Sequence, residues 1–390
     1  MTDLLHKDAH VLAALIAAGQ ISAVDLMQAT LARIAAVNPA YNAVVALRDA
    51  DVLLAEARAA DAVPAIGPLH GLPVAIKELA NVKGLVTSQG SPLFAGQVAD
   101  SDDIMVARMR AAGAIIIGKT NAPEFGLGSH TTNPVYGATG NAYDPTRSAG
   151  GSSGGAAVAL ATGMLSIADG SDEMGSLRNP AGWNNVYGFR PSWGLVPSEP
   201  RDDTFLHQLR SNGPMARSPT DIALLLGVQA GQDTRQPHGV IPDDYSDLSA
   251  NVAGRRIGWL GDWGGALPFE DGVLATCEAA IATFDDIGCP VEYLVPPFSR
   301  DALWDSWITL RQWWAAASMG PLYADPATRK ALKPAAIWEV EQGRRLSGAQ
   351  IHAASVIRSE WFRTATALLD TCDALVLPTA QCWPFPIGWD

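Results

Sequence analysis

Gly71-Leu72-Pro73-Val74-Ala75-Ile76-Lys77 opens on a glycine, runs through unbroken apolar residues and closes on a lysine. A short apolar run without alternation, bounded by Gly and Pro, reads as a strand buried on both faces. Ala114-Ile115-Ile116-Ile117 has the same texture, and Asp103 to Ala112 between them carries helical spacing. Buried strands joined by crossover helices predict an α/β fold.

Upstream the pattern is helical. Val24, Met27, Leu31 and Ile34 fall at helical spacing behind a Ser22-x-x-Asp25 start, and a further helix is expected from Asp49 to Ala60 before the break at Pro64 to Pro68. Val11 to Gly19 is too short for a bilayer span, and Asp3 and Asp8 flank it where a signal peptide wants positive charge, so it reads as a mature helix. Downstream, Gly118 to Pro200 is crowded with Gly, Ser, Asn and Pro, and a loop-rich stretch of that length usually carries function. Beyond a turn-rich connector at Gln232 to Ala250, strands are expected at Arg256 to Leu260, Val291 to Val295 and Asp373 to Leu377. Helices are expected at Glu270 to Asp286 and through Arg300 to Thr371.

The 390 residues are enough for two or three domains or for one large α/β domain. A net charge of −13 argues against direct nucleic-acid binding, and 48% apolar with 17% charged residues describes a packed globular protein without membrane association. Cys277, Cys289, Cys372 and Cys382 lack CxxC spacing, which favours reduced thiols and a cytoplasmic location.

Two motif matches mislead. Gly113 to Thr120 fits the phosphate-loop pattern letter for letter, but its variable positions are Ala-Ile-Ile-Ile, a strand rather than a loop. Gly150-Gly151-Ser152-Ser153-Gly154 fits the GxSxG elbow, yet the turn Tyr143 to Arg147 precedes it where a strand is required. No lysine has a serine three residues before it, so SxxK chemistry is absent. The i, i+4 pair His6 and His10 reads as frayed and solvated, no metal-ligand set stands out, and no cofactor is expected.

Four blocks remain: Gly71 to Lys77, Gly118-Lys119-Thr120-Asn121-Ala122-Pro123-Glu124-Phe125, Gly150 to Gly155, and Gly170-Ser171-Asp172-Glu173-Met174-Gly175-Ser176-Leu177-Arg178-Asn179-Pro180. In this order they resemble the amidase signature family, and the resemblance runs from the N-terminal helices through Pro378-Thr379. It implies a mixed, largely parallel central sheet covered by helices, and an amidohydrolase with a Ser, cis-Ser, Lys relay. On the matching positions the nucleophile is Ser176, the proton bridge Ser152 and the base Lys77.

The chemistry suits these residue types. A serine hydroxyl needs a base, and lysine serves only when burial lowers its pKa to ~7–8. Lys77 follows an apolar strand, with Glu78 facing the opposite way. Ser153 is expected to hydrogen-bond the relay. The backbone amides of Glu173, Met174, Gly175 and Ser176 are expected to form the oxyanion hole, braced by Asp172 and Arg178. Met174 stands where the family pattern has glycine and Glu173 where it has a small or hydroxylated residue, so the oxyanion nest is expected to be built differently or to be tighter.

The expected substrate is a small-molecule amide, hydrophobic or aryl, with carbamates and esters as related options. Phe125, Thr131 and Tyr136 are pocket candidates by position. Trp307 is another, from a helical stripe with Trp304 and Trp314 that otherwise reads as core. Two other readings stay open: the glutaminase component of a transfer-RNA amidotransferase, and an inert binding homologue. Assembly as a homodimer is likewise left open. The organisation read from the sequence is an N-terminal helical segment, 1–70, packing on one core, 71–390. The family pattern continues beyond Pro378-Thr379, so the apolar end with Trp383, Phe385 and Trp389 is expected to lack a C-terminal segment.

Overall fold

A computed structural model describes residues 4–199 and 203–389. The chain divides into two compact units, Met1–Leu248 with Pro384–Asp390, and Ser249–Trp383. The sequence reading set its boundary at residue 70 and kept 71–390 together. In the structure the units part in the exposed, turn-rich connector instead, while the N-terminal helices share their buried faces with the strands that follow.

The first unit begins with α1 (Ala9–Ala17), α2 (Ala23–Tyr41), β1 (Val44–Val45) and α3 (Ala50–Asp61). α2 starts on the expected capping box: Ser22 Oγ accepts from the Asp25 amide at 2.9 Å, and Asp25 accepts from the Ser22 amide at 3.2 Å. β2 (Pro73–Lys77), α4 (Ile104–Ala111) and β3 (Ile115–Thr120) follow as read from the sequence, with β2 and β3 parallel and β1 antiparallel to β3. Next come α5 (Gly154–Ala161), β4 (Ile167–Asp172), α6 (Arg178–Asn184), β5 (Tyr187–Gly188), β6 (Ser211–Ala216) and α7 (Pro219–Gln229). β4, β6 and β5 form an antiparallel ladder, and β2 lies alongside β4.

Strand alternation sorts the core into two layers. Val74, Ile76 and Ile116 pack with Leu12, Leu26, Met109 and Leu225, whereas Ala75, Ile115 and Ile117 pack with Met27, Ile34 and the Ala156 to Leu160 face of α5. Continuing the alternation puts Lys77 on the Ala75 side, toward the start of α5, and Glu78 on the other.

The second unit contains β7 (Ile257–Trp259), α8 (Val273–Ile281), α9 (Thr283–Asp286), β8 (Val291–Tyr293), α10 (Arg300–Ser318), α11 (Gly320–Ala324), α12 (Pro326–Arg329), α13 (Pro334–Gly343), α14 (Gly348–Leu369) and β9 (Ala374–Val376). Its sheet, β8–β7–β9, is parallel throughout. α10 packs on α13 and α14, its buried residues are Ser306, Leu310 and Ala315, and Trp304 is 56% exposed. Gly343 permits that contact, since a Cβ there would fall 1.9 Å from the Gln312 carbonyl oxygen.

One smaller expectation is corrected. His10 is not frayed: its amide and Nδ1 reach Asp221 Oδ1 at 2.9 and 2.7 Å, so the start of α1 is tied to α7. At the apolar C-terminal end, Phe385 packs edge-on against Trp183 and its carbonyl accepts from the Ser148 amide at 2.8 Å. The four cysteines are free thiols. Among the described residues no helix is long and apolar enough to cross a membrane.

Candidate active site

Lys77 ends β2 with 1% of its surface exposed. Its Nζ lies 2.8 Å from Ser152 Oγ, 2.7 Å from Ser153 Oγ, and 3.1 Å from both the hydroxyl and the carbonyl oxygen of Ser171. Burial pulls the amine down to about 7, aided by the Arg210 guanidinium and opposed by Asp169 and Asp172. Asp169 also lies at the strand end, accepting the Lys77 amide at 2.9 Å. Burial pushes its carboxyl up to about 6 against the pull of the Lys77 amide and of Lys77 and Lys119.

The serines arrive on a loop made for close approach. The Gly151–Ser152 peptide is cis, and Gly150 has φ +76. A Cβ on Gly150 would sit 2.6 Å from Asn179 Oδ1, and one on Gly155 would sit 2.3 Å from the Asn121 nitrogen, so glycine is required at both positions. Ser176 is set beside the pair through its carbonyl, which accepts from the Ser153 amide at 3.2 Å.

The turn carrying Ser176 is built around Asp172. Its carboxylate accepts from the amides of Gly175 (2.8 Å) and Leu177 (3.0 Å), from Arg178 through two bonds of 3.0 Å, and from Arg190 at 2.9 Å. Burial alone would push this carboxyl up, but the Arg178 guanidinium and the two amides outweigh it and hold the group well below the usual carboxylate range.

The assembly is a buried amine, a serine pair on a glycine loop and a braced serine turn. A family model described as Amidase matches residues 25–390. The chain belongs to the amidase signature family. It is 33% identical over 389 residues to an acylamidase from Rhodococcus erythropolis, covering 96% of this chain and 79% of that protein. It is also 34% identical to the A component of a glutamyl-tRNA(Gln) amidotransferase from Acidothermus cellulolyticus, covering 100% of this chain and 82% of the other. Among solved structures, a bacterial aryl acylamidase superposes with TM-score 0.91 at 29% identity, over 98% of this chain and 82% of that one. A 6-aminohexanoate cyclic dimer hydrolase superposes with TM-score 0.88 at 28% identity, over 99% and 82%. The protein is a hydrolase acting on amide carbon–nitrogen bonds.

Within this amidase the residues named from the sequence separate. Lys77, Ser152, Ser153, Asp172, Arg178 and the Ser176 turn come together as described above. The turn Glu124–Gly126, which carries Phe125, passes close to the serine loop, since a Cβ on Gly126 would stand 3.7 Å from Ser152 Oγ, while the Phe125 ring packs edge-on against Phe94. Thr131 is fully buried and bridges the Gly150 carbonyl (2.7 Å) and the Gly154 amide (3.2 Å), so it braces the serine loop instead of lining a pocket. Tyr136 falls on the far side of β2, its hydroxyl 3.5 Å from Glu78 Oε1. Trp307 lies in the second unit, stacked on Trp304.

In the turn expected to form the oxyanion hole, the positive φ falls on Gly175, at +123, and not on Met174. The Gly175 amide points to Asp172, which leaves those of Glu173, Met174 and Ser176 as candidate donors. The Glu173 carboxylate faces His207 Nε2 at 3.5 Å.

Asp169, Ser171 and Arg210 were not found from the sequence. Asp169 and Ser171 flank Gly170 at the start of a block already singled out, and the polar run directly before the Ser176 turn is the signal that could have found them. A second buried lysine stands on the neighbouring strand: Lys119 Nζ donates to the Ala80 carbonyl and lies 3.6 Å from Glu78 Oε2, both side chains being fully enclosed.

Proposed function

We propose that this amidase cleaves its substrate through an acyl-enzyme on Ser176, with Ser152 as proton bridge and Lys77 as base. The observation that carries the reading is Lys77 Nζ, enclosed and held at hydrogen-bond distance from both loop serines. As Ser176 Oγ attacks the carbonyl carbon, its proton passes to Ser152, whose own proton passes to the neutral Lys77 amine. The carbonyl oxygen becomes an oxyanion facing the amides of Glu173, Met174 and Ser176. Collapse breaks the carbon–nitrogen bond, the lysine proton returns through Ser152 to the leaving nitrogen, and water then releases the acid by the same route.

Hydrophobic acyl or aryl amides are the preferred substrates, a reading supported by likeness to the acylamidase and the aryl acylamidase. Aryl carbamates and esters fit the same chemistry. The identity with the amidotransferase component supports a second reading, in which glutamine is the ammonia donor. A turnover screen across short acyl amides, aryl amides, carbamates and glutamine separates them. Turnover of aryl amides without a partner protein supports the first reading, and turnover of glutamine alone supports the second. Silence on the whole panel favours an inert binding homologue.

A further inference from the structure

β2 and β4 run side by side but belong to different ladders. At Lys77 a side chain bridges the gap: the Lys77 amide donates to Asp169 Oδ1 at 2.9 Å, where a ladder carbonyl would otherwise stand. Two residues further along β4, Ser171 takes the other end of the same lysine through its hydroxyl and its carbonyl oxygen. One strand thus holds Lys77 by its backbone and by its amine.

Asp169 has no part in the proton route written above, yet its carboxylate is only 1% exposed. Leaving a carboxylate there is unfavourable unless it is compensated. We propose that Asp169 is a positioning residue for the base: it anchors the end of β2 through the Lys77 amide, and its negative charge sets how readily the buried amine holds a proton. The inference rests on Lys77 being the base.

The other charged groups around the amine define the balance. Asp172, at the end of β4, is occupied by Arg178 and Arg190. Arg210, directly before β6, disfavours a proton on the amine, while Asp169 and Asp172 favour one. From β3, Lys119 acts on Asp169 and is itself drawn to Glu78. α5 and the buried face of α2 bring no ionisable side chain. With its carboxyl near 6, Asp169 is ionised over most of the range in which a lysine near 7 changes state. Two such neighbours titrate as a coupled pair.

The test is the pH profile of Asp169→Asn, which keeps an oxygen acceptor for the Lys77 amide and removes the charge. The acid limb of kcat/KM is expected to move about one unit to lower pH, the order of shift a neighbouring charge produces. A limb that stays in place or moves upward, in a folded variant, overturns the proposal, because a merely structural residue lowers the rate equally at every pH. Should the variant not fold, lysine 13Cε spectra of the wild-type protein decide, with only six lysines to assign. The Lys77 signal is expected to show two inflections, its own and that of Asp169; a single inflection overturns the proposal. Failure of the underlying reading is seen separately, as full activity in Lys77→Ala, and that result removes this proposal with it.

Discussion

Lys77 Nζ and Ser152 Oγ stand 2.8 Å apart at a position where the lysine is 1% exposed. Burial and a hydroxyl partner together describe an amine that can exchange a proton with a serine without meeting water. Replacing Lys77 with alanine is expected to reduce turnover by ~100- to 10,000-fold, the usual contribution of a positioned base, with Ser152 left in place. Steady-state kinetics on an aryl amide check this.

The same lysine is expected to oppose folding. Its folded pKa is lowered to about 7, so between that value and the ordinary lysine range the unfolded chain binds more protons than the folded one. Stability should therefore rise with pH from about 7 to 10 through this group. Lys77→Met is expected to lose that slope and to be at least as stable at neutral pH, as read by denaturant unfolding at several pH values. A Lys77→Met protein much less stable than wild type at neutral pH contradicts this.

Activity follows the same titration. kcat/KM is expected to rise as pH passes through about 7 and Lys77 loses its proton, and a profile already flat from pH 5 counts against the assignment.

Lys119 makes a contrasting case. It is fully enclosed beside Glu78, so Lys119→Ala leaves a buried carboxylate without its cation and is expected to cost about 3–5 kcal/mol of stability. The surviving folded protein is expected to keep its turnover. A variant with wild-type stability and no turnover would mean that the base is on β3 and not β2.

Asp172→Asn probes the turn. The wild-type carboxylate is held below the usual range, so its stabilising contribution is present above that range and is lost as pH falls beneath it. The variant is expected to be less stable at neutral pH and to show a smaller further loss on acidification. With the Gly175 and Leu177 amides less firmly held, turnover is expected to fall by ~100-fold, the scale of one lost oxyanion donor.

The parts legible in the sequence were those whose cause is local. β2 and β3 read as strands because Val74 to Ile76 and Ile115 to Ile117 are apolar without a break, and α2 because Ser22 and Asp25 form their own cap. Lys77, Ser152, Asp172 and Arg178 were legible because each sits in a block of fixed spacing. β4 was hidden: Asp169, Gly170, Ser171 and Asp172 carry no strand pattern, and they are buried only because β6 pairs with them in register and Lys77 meets them from β2. Thr131 misled for the same reason, since its partners Gly150 and Gly154 come from a distant loop. The α10 stripe was legible only in part, because Trp304 is 56% exposed and the helix buries Ser306, Leu310 and Ala315 instead of that tryptophan.

Fluorophosphonate labelling followed by peptide mapping tests the relay most directly. The expected result is one tag, on Ser176, formed faster as pH rises through about 7 and abolished in Lys77→Ala. A tag on Ser152, or labelling of Ser176 that persists unchanged without Lys77, contradicts the assignment of nucleophile and base.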